Sequence, residues 1–167
     1  MNRKLAVCCT LAANEVFQGE TSTTDYKGNV PGHTRVPTKN ELNKYFSAAG
    51  IPYSPGVHWC GIFQLWLLKS SGVACHWDRA IVDDSGGKDL EIVSGEEAKK
   101  GLAVGDIVRI GHAQHHFMIL EPAAKGYLRN IEGNAGGIKY PMLAANWAVS
   151  MTRNVVEDIQ FRYRVLG

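Results

Sequence analysis

The chain has 167 residues, 45% of them hydrophobic, which is enough for one ordinary core and too short for two, so a single domain over residues 1–167 is expected. Its 18 basic and 16 acidic residues give a formal charge of +2 and are spread without a basic run, which leaves nucleic-acid binding without an electrostatic footprint. No apolar stretch approaches the ~20 residues that a helical membrane crossing needs.

Asn2-Arg3-Lys4 followed by Leu5 to Ala13 imitates a signal peptide, with a basic start and a short apolar run. The same residues place Leu5, Cys8, Cys9, Ala12 and Val16 on one helical face, and a first helix of the folded domain is the reading favoured here. From Gln18 to Pro37 the chain is polar, rich in Gly, Thr, Asn and Pro, and without periodicity, so a long loop is expected there. Thr38 with Glu41 three residues on is a capping box. It opens a second helix with Leu42, Tyr45, Phe46 and Ala49 as its buried stripe and Gly50 as its stop.

A third helix begins behind the Pro55-Gly56 turn, at Cys60, and is apolar nearly all round through Ile62, Phe63, Leu65, Trp66, Leu67 and Leu68 before Gly72 ends it. A cysteine at a helix start is where a thiol becomes a nucleophile. The unpaired amides and the positive dipole end stabilise a thiolate, and an adjacent imidazolium lowers its pKa further. The other cysteines, Cys8, Cys9 and Cys75, are expected to be reduced, since adjacent Cys8-Cys9 makes a poor disulfide framework and a domain of this size needs none.

Val73 to Gly101 is expected only to connect. Beyond it the period changes to two. Strands are predicted at residues 106–110, 116–120, 127–131 and 159–166, with a further one within 148–152, separated by glycine turns. Helices first and an antiparallel sheet second define an α+β domain.

A cysteine nucleophile needs a base, and the base needs a polar partner to orient it. His112, His115 and His116 cluster at one loop-to-strand junction. His116 heads the apolar strand and is the favoured base, with His112 and His115 read as loop residues. Glu132 or Asn134, in the turn Glu132-Gly133-Asn134, could accept the imidazole N–H. A metal site built from these histidines and a cysteine is disfavoured, because no Cys-x-x-Cys or His-Glu-x-x-His spacing is present.

Trp59-Cys60-Gly61-Ile62-Phe63, Gly105-Asp106-Ile107-Val108 leading to His116-Phe117-Met118-Ile119, and Glu132-Gly133-Asn134 together resemble the CHAP group of papain-fold amidases and peptidases and its NlpC-like relatives. Ala103-Val104 stands where that pattern has a proline before Gly-Asp. The resemblance implies a papain-like (NlpC/CHAP-type) fold in which N-terminal helices, the central one carrying the cysteine, pack on a C-terminal antiparallel sheet. It implies the catalytic set Cys60, His116, Glu132 and Asn134, with no cofactor and no metal. The implied activity is that of a thiol amidase or endopeptidase on peptide bonds of bacterial peptidoglycan. Such a protein would be a monomer, a secreted effector or phage-type lysin working in the periplasm or a target cell, and an immunity or delivery protein would be its partner. The same site could instead deamidate a glutamine or asparagine of a target protein, or serve a non-catalytic binding module. Strand alternation sends His115 and His116 to opposite faces, so only one is expected to meet the Cys60 helix. If that is His116, Met118 and Leu120 pack with it, and Phe117 and Ile119 lie on the other face.

Overall fold

The computed structural model describes residues 2–17, 22–24, 31–35, 37–111, 115–124, 126–135 and 148–167. Among them are three α-helices, α1 (Arg3–Phe17), α2 (Lys39–Ala48) and α3 (Cys60–Ser70). The strands are β1 (Ser22–Thr24), β2 (Pro31–Arg35), β3 (Cys75–Trp77), β4 (Ile81–Asp83), β5 (Leu90–Ser94), β6 (Ile107–Ile110), β7 (His115–Ala124), β8 (Tyr127–Ala135), β9 (Ala148–Val155) and β10 (Ile159–Val165). Eight of them form one antiparallel sheet in the order β1-β2-β9-β8-β7-β6-β10-β5, and β3 and β4 form a separate hairpin. The class is α+β.

The capping box forms as the sequence predicts: the Thr38 side chain accepts from the Glu41 backbone N–H at 3.3 Å, and the Thr38 backbone N–H donates to the Glu41 carboxylate at 2.6 Å. Leu42, Tyr45 and Phe46 are the buried face of α2. On α1, Cys8 and Ala12 are fully buried and Leu5 and Cys9 pack beside them, so the helix is seated in the core. Its Glu15 is a buried carboxylate, held by the Tyr45 hydroxyl, which donates to it, and by Lys44 at 2.8 Å. All residues of α3 from Cys60 to Leu68 are buried, as its lack of a polar stripe requires. Tyr45 ties the two helices together through Trp59, Phe63 and Trp66, with ring centroids 5.8, 5.2 and 5.0 Å away.

The sheet uses both faces. Ile107, Met118, Ile131, Tyr163 and Val165 join the helices in one core, with Leu120 packed against it. Val108, Phe117, Ile119, Leu128 and Ile159 make a second cluster on the opposite face, covered by Ala98 from the 3-10 turn Gly95–Lys99 and by Leu102. The division of Met118 and Leu120 from Phe117 and Ile119 follows the predicted alternation. The turn into β6 is pinned to β10. The Asp106 carboxylate accepts from the Arg164 guanidinium at 2.8 and 2.6 Å and from the Ala103 backbone N–H at 2.9 Å.

Two expectations are corrected. The stretch from Gln18 to Pro37 contains β1 and β2 and is not wholly a loop, because its backbone extends the sheet beyond β9. Likewise Val73 to Gly101 contributes β3, β4 and β5, and β5 pairs with β10 over Leu90 to Ser94. No helix among the described residues is long and apolar enough to cross a membrane.

Candidate active site

Cys60 is the first residue of α3 and is 7% exposed. Trp59, the residue at the helix cap, makes no side-chain capping hydrogen bond, and the first turn carries no acidic residue. The first-turn amides therefore have no side chain of their own cap to satisfy, and their partial positive charge acts at the thiol. Sequence decides this local structure: Pro55-Gly56 turns the chain, and the aromatic and aliphatic run after Cys60 has no stable place except the core.

The β8 backbone runs directly against the start of α3. A Cβ at Gly133 would stand 2.5 Å from Trp59 and 2.8 Å from Phe63, so only glycine allows this approach. Gln64, one turn beyond Cys60, donates from Nε2 to the Ile131 carbonyl at 3.2 Å and fixes the same register. Gly61 is equally constrained. A Cβ there would collide with the Trp77 ring, which also meets the His116 ring edge-on with centroids 5.3 Å apart. Close backbone approach thus brings β7, β8 and β3 around one thiol.

His115 Nε2 lies 2.7 Å from Glu132 Oε2, and Glu132 is 2% exposed. The Asn130 side chain donates to the same oxygen at 3.3 Å. Burial alone would raise the Cys60 thiol. Hydrogen bonding and charge from His115, and then from His116, more than reverse this and bring it down to about 5. Burial would lower His115, but the Glu132 carboxylate and then the Cys60 thiolate hold it up at about 10. The two shifts act together: each group favours the charged form of the other, so the contact favours a thiolate and an imidazolium beside the buried Glu132 carboxylate. With Nε2 engaged by Glu132, Nδ1 is the ring nitrogen left for the sulfur.

The structure brings Cys60, Glu132 and both histidines of the pair together. The expectation that only one imidazole meets the Cys60 helix is corrected. His115 and His116 do leave β7 on opposite faces, but His115 is the strand's first residue, and at a strand end a side chain from either face reaches the thiol. His116 is 2% exposed and lies between Trp77 and Tyr163. Neither of its ring nitrogens completes a hydrogen bond of normal geometry among the described residues. Asn134 lies in the left-handed region at φ 57°, and its side chain donates to His58 Nδ1 at 3.2 Å, not to an imidazole of the pair. His58 drew no role from the sequence, and its place two residues before Cys60 was the available signal. His112 lies outside the described residues.

The other thiols are unlike Cys60. All four cysteines are free, and burial pushes Cys8 and Cys75 up to about 12. His76, adjacent to Cys75 in sequence, is exposed and paired with Asp84. Among the described residues no group of three or more His, Cys, Asp and Glu side chains is placed to hold a metal ion. Comparison with protein-family models, curated proteins and solved structures found no match, so the site is read from its own geometry.

Proposed function

We propose that the protein is a cysteine-dependent amidase or endopeptidase built on a papain-like (NlpC/CHAP-type) arrangement. The observation that carries the reading is the place of the Cys60 thiol, at an uncapped helix start beside the His115 imidazole, which lies 2.7 Å from the buried Glu132 carboxylate. The Cys60 thiolate attacks the carbonyl carbon of a peptide or amide bond, and the oxyanion that forms is stabilised by the backbone amides at the start of α3. His115, charged and oriented by Glu132, gives its proton to the leaving amine as the tetrahedral species collapses to a thioester. A water molecule then loses a proton to His115 and attacks the thioester, and the released thiolate closes the cycle. His115 takes the part expected of His116, because His115 makes the carboxylate contact.

The bonds of bacterial peptidoglycan peptides are the proposed substrate. This rests on the resemblance of the Cys60, Gly105-Asp106, His115-His116 and Glu132-Gly133-Asn134 segments, and it implies a protein secreted or delivered to the periplasm or a target cell. Digestion of purified peptidoglycan, with released fragments identified by mass, tests it. New amino termini or released stem peptides, absent with Cys60→Ala at unchanged circular dichroism, are the expected result. Undigested peptidoglycan together with ammonia release from a protein glutamine would transfer the same chemistry to the deamidase reading.

A further inference from the structure

The segment that enters α3 is built unlike the helix it feeds. Ser54, Pro55, Gly56, Val57 and His58 are all exposed, whereas Trp59 and Cys60, which follow, are buried. The segment turns on itself, the Val57 N–H donating to the Ser54 carbonyl at 3.1 Å. Among the described residues, its hydrogen bond to the rest of the chain is the one His58 Nδ1 accepts from Asn134 at 3.2 Å. Asn134 is held in an unusual backbone state to make it. The register of β8 against β9 shifts between Glu132 and Ala135, a bulge that releases Asn134 from strand alternation, and its φ of 57° is one that few residues other than glycine adopt. Backbone strain of this kind persists where the surrounding structure needs it. The contact also completes a series along β8. Ile131 accepts from Gln64, Gly133 lies against Trp59 and Phe63, and Asn134 reaches His58, so one strand holds the chain before and after Cys60.

We propose that His58 and Asn134 are positioning residues, whose contact fixes the path of the chain into α3 and so aims the free first-turn amides at the oxyanion. This rests on Cys60 being the nucleophile and adds how its oxyanion site is held. Those amides have no capping side chain, so their direction follows the backbone at Trp59, which stands at φ −118° and ψ 14°, outside the helix. Burial of the Trp59 ring anchors that backbone on one side, and the His58 contact fixes the other. A misplacement of about 1 Å at a reacting centre can cost roughly a hundredfold in rate. Asn134 thereby acts on the amides that face the oxyanion, in place of the imidazole contact that the resemblance implies.

Two thiol reagents separate the oxyanion site from thiol reactivity. Iodoacetamide reacts at a saturated carbon and forms no oxyanion. N-acetylglycinal, an aldehyde, adds reversibly. The Cys60 sulfur bonds to the carbonyl carbon, the C=O π pair moves to oxygen, and that oxygen takes a proton from His115 to give a hemithioacetal beside the first-turn amides. The aldehyde concentration that halves iodoacetamide labelling of Cys60, assigned by peptide mass at pH 7.5, is measured in the wild type, His58→Ala, Asn134→Gly and the double variant. In each single variant it is expected to rise about tenfold, short of the roughly hundred- to thousandfold cost of losing an oxyanion donor outright, while the iodoacetamide rate itself stays within about twofold. The double variant should lose no more than either single one, because each removes the same contact. Asn134→Gly relieves the strained φ, so it tests the contact in a chain that folds. Asn134→Asp tolerates that φ and can accept from the His58 ring N–H, so most of the protection should remain. An aldehyde concentration unchanged in both single variants, single losses that add, or protection lost as fully in Asn134→Asp as in Asn134→Gly overturns the positioning role and leaves the nucleophile standing. A Cys60 inert to iodoacetamide in the wild type overturns the nucleophile, and the positioning role with it.

Discussion

Glu132→Gln isolates the carboxylate while keeping shape and hydrogen-bonding atoms. Glu132 is buried, accepts from Asn130 and engages His115, and a glutamine oxygen can occupy the same place. Its charge is the leading cause that raises His115 from 6.5 to about 10; the Cys60 thiolate is the other. An opposite charge at this range shifts a buried group by about one to three units, so removal should bring the imidazolium down by about two. The ion pair is the reactive form. At pH 9 its population then drops from about nine-tenths to about one-tenth, whereas at pH 7 it barely changes. The assay is the pH profile of kcat/KM on a soluble amide substrate. The wild type should show a bell with limbs near 5 and 10 that belong to the coupled pair, and Glu132→Gln a bell narrowed from the alkaline side only. An alkaline limb that stays near 10 in the variant refutes the role given to Glu132.

His115→Ala should lower turnover by about two to four orders of magnitude and abolish thiol reactivity at pH 6. His116→Ala should lower both by less, because His116 is the smaller of the two causes that lower the Cys60 thiol, and the opposite ranking in alkylation and turnover would return the base to His116. Iodoacetamide at pH 7 should label Cys60 well before Cys8 or Cys75, whose thiols burial holds up at about 12, as peptide mass mapping would show. Gly61→Ala, normally favourable inside a helix, should instead destabilise the fold by about 1–3 kcal/mol in denaturant titration because the new methyl meets Trp77. Combining it with Trp77→Ala should recover part of that loss.

The helical half was legible because its signals are local. The Thr38 and Glu41 pair marks a start, and the unbroken apolar run from Ile62 to Leu68 admits only burial. Strand positions in the second half followed from period two, and the faces of Met118 and Phe117 with them. Short strands escaped. Leu90 to Ser94 has one core-facing residue and gains its identity from β10, about seventy positions away, and Ile81 to Asp83 is too brief for a pattern. The choice between His115 and His116 also lay beyond periodicity. It depends on where β7 ends relative to α3 and on the pairing of Phe117 with Glu132, which no short-range signal encodes.

The position of β10 imposes an order on assembly. It is the last of the described strands in sequence, yet it lies between β5 and β6, and β5 has no other neighbour in the sheet among the described residues. As the chain leaves the ribosome, β5 and β6 are complete before the strand that joins them exists, and both wait with open edges. Tyr163 and Phe161 arrive with β10, so the floor beneath His116 and Arg109 is laid only then. A nascent chain can hold the cysteine helix and even the His115–Glu132 contact before this, but not the packing of His116 against Tyr163. The setting of His116 is therefore completed last, after Cys60, His115 and Glu132 have all left the ribosome.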